Sequence, residues 1–142
     1  MAVNITQTDD GGMNFQGKDG TNVGTQIAQT EYLAASVDKA FFIAPRAMRV
    51  KRILGRVEVA GTDGGAVTAV IRKVPSGTAI TSGTALHSGS FNLKGTAATN
   101  QELTLSTTSS DLDLAAGDAL AIDFTGTLTS ATGTISVALA PL

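Results

Sequence analysis

The sequence contains one histidine, His87, and no cysteine, so a Ser–His–Asp site would have to be built on that imidazole. Such a site needs a nucleophile within hydrogen-bond reach of the base and an acid that orients the base. His87 sits in Ala85-Leu86-His87-Ser88-Gly89, and no Gly-x-Ser-x-Gly elbow surrounds it. It reads as a loop or interface histidine. Asp111, Asp113, Asp118 and Asp123 could supply the carboxylate pair of a glycosidase. However, Asp111, Asp113 and Asp123 alternate with apolar residues, which puts them opposite a buried face, solvated or at an interface. Nothing in the sequence supplies the burial or close charge that perturbs a carboxyl group. With one tyrosine and no tryptophan, a sugar also has little to stack on.

Metal and phosphate chemistry fare no better. Asp9-Asp10-Gly11-Gly12 and Asp63-Gly64-Gly65 have the composition of calcium loops without the ligand number, and they read as turns. A thiolate metal site is excluded by the absence of cysteine. No Gly-x-x-x-x-Gly-Lys-Ser/Thr phosphate loop occurs. The expectation is a protein with no catalytic residues, no metal, no cofactor and no small-molecule substrate.

One charge cluster remains. Arg46, Arg49, Lys51, Arg52 and Arg56 are five of the ten basic residues. Nucleic-acid readers interleave such clusters with stacking aromatics, but Phe41 and Phe42 lie in an apolar run and are assigned to the core. The net charge of -2 gives no general attraction to nucleic acid or anionic lipid. The cluster therefore reads as a solvated face, or as a contact for acidic groups on a neighbouring subunit, which the planar guanidinium fork pairs bidentately.

The elements that carry these residues are strands. The 142 residues suit one domain with one core. Residues 1–30 are polar and Gly-rich, with isolated apolar positions such as Ile5 and Phe15, and are expected to form an extended arm that docks on something through Phe15. From residue 31 the apolar residues alternate with polar ones, the signature of strands with one buried face. Leu120, Ile122 and Phe124 share one face, with Ala121 and Asp123 on the other. Ile135, Val137 and Leu139 alternate with Ser136, Ala138 and Ala140. Strands are expected over 37–44 and 66–74, and through Leu103 and Leu105, and through Leu112 and Leu114. The long strand 48–59 slips phase, because Val50 has one parity and Ile53, Val57 and Val59 the other. One extra residue near Lys51 and Arg52, a β-bulge, brings them all inward. The loop 61–65 and the segment between Gly126 and Gly133 read as hairpin connections, and a single helical turn is placed near 82–86. Seven to nine short strands in this length predict an all-β, antiparallel two-sheet sandwich of jelly-roll type.

The outward positions carry little charge: Thr104, Ala121, Ser136, Ala138 and Ala140 are small and neutral. Depletion of charge marks the core of an interface, so self-association, as a trimer, is expected. There is no secretory signal at the start and no apolar run near the roughly 20 residues that span a bilayer, so no membrane partner is expected.

Five stretches carry a resemblance: Phe42-Ile43-Ala44-Pro45-Arg46, residues 60–68, residues 90–96, Leu114-Ala-Ala-Gly-Asp-Ala-Leu-Ala-Ile-Asp-Phe-Thr-Gly126, and residues 137–142. Over residues 37–142 the chain resembles head decoration (cement) proteins of tailed bacteriophages and prophages, which have a jelly-roll-like sandwich. The resemblance implies a virion protein made in the host cytoplasm and seated on the outer capsid surface. There it clamps subunits of the major capsid protein as a homotrimer. It carries over no catalytic residues. The alternative is a phage fibre or spike module that binds a host receptor or carbohydrate.

Overall fold

The computed structural model describes the backbone of Val3–Gln7 and Met13–Gly17, and residues 24–142 in full. β1 (Val3–Gln7) and β2 (Met13–Gly17) pair antiparallel with each other. Residues 1–2, 8–12 and 18–23 of the expected arm lie outside the described residues, as does the Phe15 side chain. A strand β3 (Gln26–Tyr32) begins inside the segment assigned to the arm and runs along the C-terminal strand.

The remaining strands are β4 (Lys39–Ile43), β5 (Met48–Val59), β6 (Thr68–Val74), β7 (Thr84–Ala85), β8 (Phe91–Asn92), β9 (Thr99–Glu102), β10 (Asp113–Leu114), β11 (Ala119–Thr125) and β12 (Thr132–Pro141). They form two antiparallel sheets. The first runs β10-β5-β12-β3, with β9 also on β5; the second runs β4-β11-β6-β7, with β8 also on β6. The last strand, β12, thus lies between β3 and β5, and the penultimate β11 lies between β4 and β6. This wrapping of the chain ends around the middle strands is the jelly roll expected from the sequence.

The topology corrects two connections. The loops after β5 and after β11 are not hairpins, because β5 and β12 belong to one sheet and β6 and β11 to the other. Each loop arches across the core.

The core is where the two inner faces meet, with Met48, Val50, Ile53, Ile135, Val137 and Leu139 from the first sheet and Ala69, Ile71, Leu120 and Ile122 from the second. The bulge falls where the phase slip placed it. Ala138 pairs with Arg52 and Leu139 with Val50, leaving Lys51 as the extra residue. A second bulge has no signature in the apolar pattern: Thr132 pairs with Val59 and Gly133 with Val57. Glu58 is extra there, and Val59, expected inside, is 49% exposed.

Two glycines on the inner face make room for aromatic rings. A Cβ on Gly55 would sit 2.7 Å from the Phe91 ring, and one on Gly133 would run into the Tyr32 phenol and the Arg56 carbonyl. Tyr32, directly opposite Gly133, fills that space.

Helix is confined to short turns. A 3₁₀ turn covers Ile80–Ser82, next to the position expected, and one α-helical turn covers Ser109–Leu112. Leu112 is therefore helical rather than in a strand. Leu103 and Leu105 lie beyond the end of β9 and pack at the margin of the core.

Candidate functional site

His87 is not a free loop residue: it is 5% exposed. β6 is paired with β7 at Arg72 and Lys73 and with β8 at Thr68 and Ala69, so its backbone has a gap at Ile71. The chain crosses that gap at Leu86 and His87. The Leu86 amide donates to the Ile71 carbonyl at 3.0 Å, and the Ile71 amide donates to His87 Nε2 at 2.9 Å. The imidazole stands in for the missing strand. Its Nδ1 lies 3.3 Å from the Ser88 carbonyl, and its ring meets Phe91 edge-on at 5.8 Å. Burial holds the imidazole pKa below its ordinary value. This neutral ring accepts at Nε2 and donates at Nδ1, so neither nitrogen is left for a substrate. It borders a surface depression with Ser88, Thr104 and Ser106, but the Ser106 hydroxyl donates to Asp111 Oδ2 at 2.6 Å. No serine–histidine relay forms.

The aspartates separate as well. Asp113 accepts from Arg49 Nε and Nη2 at 2.5 and 2.7 Å, and this pairing, with Lys73 and Lys51 nearby, holds its carboxyl below the usual range. Asp118 accepts from the Ala115 amide within a turn. Asp123, expected to be solvated or at an interface, is mostly buried within the chain and accepts from Arg72 Nε at 2.7 Å. Arg72 also donates to the Gly83 carbonyl. This clamp holds the 3₁₀ turn against β6 and β11, and Ala121, expected on the outward face open to another surface, is buried within the chain. Among the described residues, no three His, Cys, Asp or Glu side chains come together to hold a metal.

Arg49, Lys51, Arg52 and Arg56 of the basic cluster lie on β5 at the outer face of the first sheet, Arg46 lies in the loop before it, and most of the cluster is neutralised within the chain. Arg52 forms a bidentate pair with Glu102, at 2.7 and 2.8 Å. Arg56 pairs with Glu58 and reaches Asn100. Together with Arg49–Asp113, these pairs pin β9 and β10 onto the edge of β5. Arg46 and Lys51 have no ion pair or hydrogen bond from their side chains among the described residues. Cross-strand pairing then sets the surface pattern. Arg52, Ala138 and Ile27 form one row; Leu54, Ser136 and Gln29 the next; Arg56, Thr134 and Glu31 the third. A shallow depression of about 290 Å³ lies over Leu54, Gly55, Ser136 and Asn100. The face is broad, poor in free charge and without an enclosed cavity, and it is suited to contact with another macromolecular surface.

Sequence alone could not find the Arg72–Asp123 clamp or the role of His87. Both depend on which strands become neighbours.

The fold defines an all-β sandwich of jelly-roll topology with a largely charge-compensated outer face on its first sheet. Solved structures match the chain at low sequence identity. A chain of the "Cyanophage Pam1 capsid asymmetric unit" is 16% identical, with 83% of this chain and 82% of that chain covered and a TM-score of 0.50. A chain from Bacillus endospore appendages, described as disulfide-linked pili, is 17% identical over 84% of this chain and 88% of that one, with a TM-score of 0.36. A chain of infectious bursal disease virus, Gx strain, is 13% identical over 94% of this chain and 35% of that one, with a TM-score of 0.39. No protein-family model matches the sequence, and comparison with curated proteins gives no match.

Proposed function

We propose that this chain is a non-enzymatic structural protein of a virus particle. In this reading it is a decoration protein that seats on the outer surface of a tailed-phage head, bridges subunits of the major capsid protein and associates with copies of itself as a trimer. The observation that carries the reading is the outer face of the first sheet. Its centre is Ser136, Ala138 and Leu54, and its arginines are already paired with carboxylates of the same chain. Covering such a face desolvates few uncompensated charges, and many weak copies on one shell add up through multivalency. The fold likeness to a chain of a cyanophage capsid asymmetric unit supports the same reading. A receptor-binding rim would be served by exposed aromatics, and among the described residues the exposed large apolar side chains are all aliphatic.

On this reading the arm, including Phe15, and the uncommitted Arg46 engage the shell. The test mixes the purified protein with phage heads that lack it and counts bound copies. Binding on the order of hundreds of copies per particle, with raised resistance of the heads to heat, is the expected result. A chain starting at Gly24 should fold but bind the heads poorly. Absence of binding by the full chain overturns the proposal.

A further inference from the structure

Two opposite charges are left over on one face. Lys51 is turned outward by the bulge, and its charge is felt by Asp113 without a direct bond. The carboxylate of Glu31, on the exposed edge strand β3, has no hydrogen bond or ion pair among the described residues. The two sit at opposite ends of the first sheet. Lys51 lies beside the rungs to Ala138 and Leu139, whereas Glu31 is opposite Thr134. Strand rise and strand spacing put them about 18 Å apart, too far to pair within one copy.

Each end also exposes aliphatic side chains. Leu33 follows β3 and Val59 pairs with Thr132 at the Glu31 end; they are 58% and 49% exposed. At the Lys51 end Leu142, also exposed, is tied to Ala47 by a backbone hydrogen bond.

We propose that a second copy of this chain docks head to tail on this face, with Glu31 of one copy paired to Lys51 of the next and Leu33 and Val59 covered by the neighbour's Leu142 end. The inference rests on the self-association in the reading above and names its contact. Two different patches meet, so the contact is heterologous, and a rotation of one third of a turn closes it into a ring of three. The bulge acquires a purpose beyond core parity. It keeps Val50 and Ile53 inside while presenting a lysine that forms no ion pair among the described residues.

Sedimentation velocity on the purified full chain tests this, with Lys51→Glu, Glu31→Lys and the double exchange. Both side chains lie on the surface, so the variants should melt as the wild type does. Each single exchange should weaken association about tenfold, and the double exchange should restore it to within about threefold of wild type. Association should also weaken at high ionic strength. A wild type that is monomeric at micromolar concentration, single variants that associate as wild type does, or a double variant no better than the worse single one overturns the inference. Head binding is measured separately, so failure of the decoration reading and failure of this contact are told apart.

Discussion

His87 Nε2 accepts a hydrogen bond from the Ile71 amide at 2.9 Å, so a side chain completes a ladder that the backbone leaves open. Protonation would place an N–H against an N–H. Burial lowers the imidazole pKa in the folded protein, with the Arg72 charge acting in the same direction against backbone groups of Ser88 and Gly89.

Because the folded pKa is depressed, the neutral ring's contribution is complete above the ordinary value of 6.5 and is lost as pH falls toward the folded value. Urea unfolding midpoints of wild type and His87→Gln, which keeps an acceptor but cannot titrate, should diverge as pH drops from about 6.5 to 5. The wild type should lose more. Parallel curves would mean that His87 is not held neutral.

Tyr32 is the single tyrosine of the chain, so its ionisation can be read directly by ultraviolet absorbance. Burial, aided by the charge of Glu58, pushes the phenol up to about 12. The unfolded chain should titrate near 10 and the folded protein well above it. Stability owed to the neutral phenol is therefore full below about 10 and declines as pH rises toward 12. A folded midpoint no higher than that of the unfolded chain would contradict the packing of the ring over Gly133.

Ion pairs on the two sheets should differ in worth. Arg72 and Asp123 side chains are 22% and 13% exposed, and those of Arg52 and Glu102 are 56% and 51% exposed. Asp123→Ala leaves a half-buried guanidinium short of a partner and releases the turn over Ala121, so it should cost about 2 kcal/mol in urea unfolding. Glu102→Ala should cost clearly less, because solvent screens that pair. Equal losses would contradict this assignment.

Deleting Lys51 should be tolerated. The remaining order Val50-Arg52-Ile53 keeps Val50 and Ile53 inward and restores an unbroken ladder to Leu139 and Ala138. Circular dichroism and thermal unfolding should show a folded protein. Deleting Ser136 from β12 shifts every later inward residue to the wrong face and should abolish folding. Loss of the fold on removal of Lys51 would show that the bulge is required for the fold itself.

Parity along each strand is legible in the sequence by itself. The alternation in β11 and β12 identifies the inward residues, and the slip between Val50 and Ile53 locates a bulge at Lys51. These are local properties, because successive side chains on a pleated strand take opposite faces wherever the strand goes. What lies across the sheet is not local. Only the tertiary structure decided that the loops after β5 and β11 arch between sheets and that Asp123 meets Arg72. It also decided that Ala121 is covered and that His87 fills a gap beside Ile71. Each of these depends on which distant segment becomes a neighbour. Cross-strand pairing brings together residues dozens of positions apart, and a period of two is the same whichever partner the strand receives.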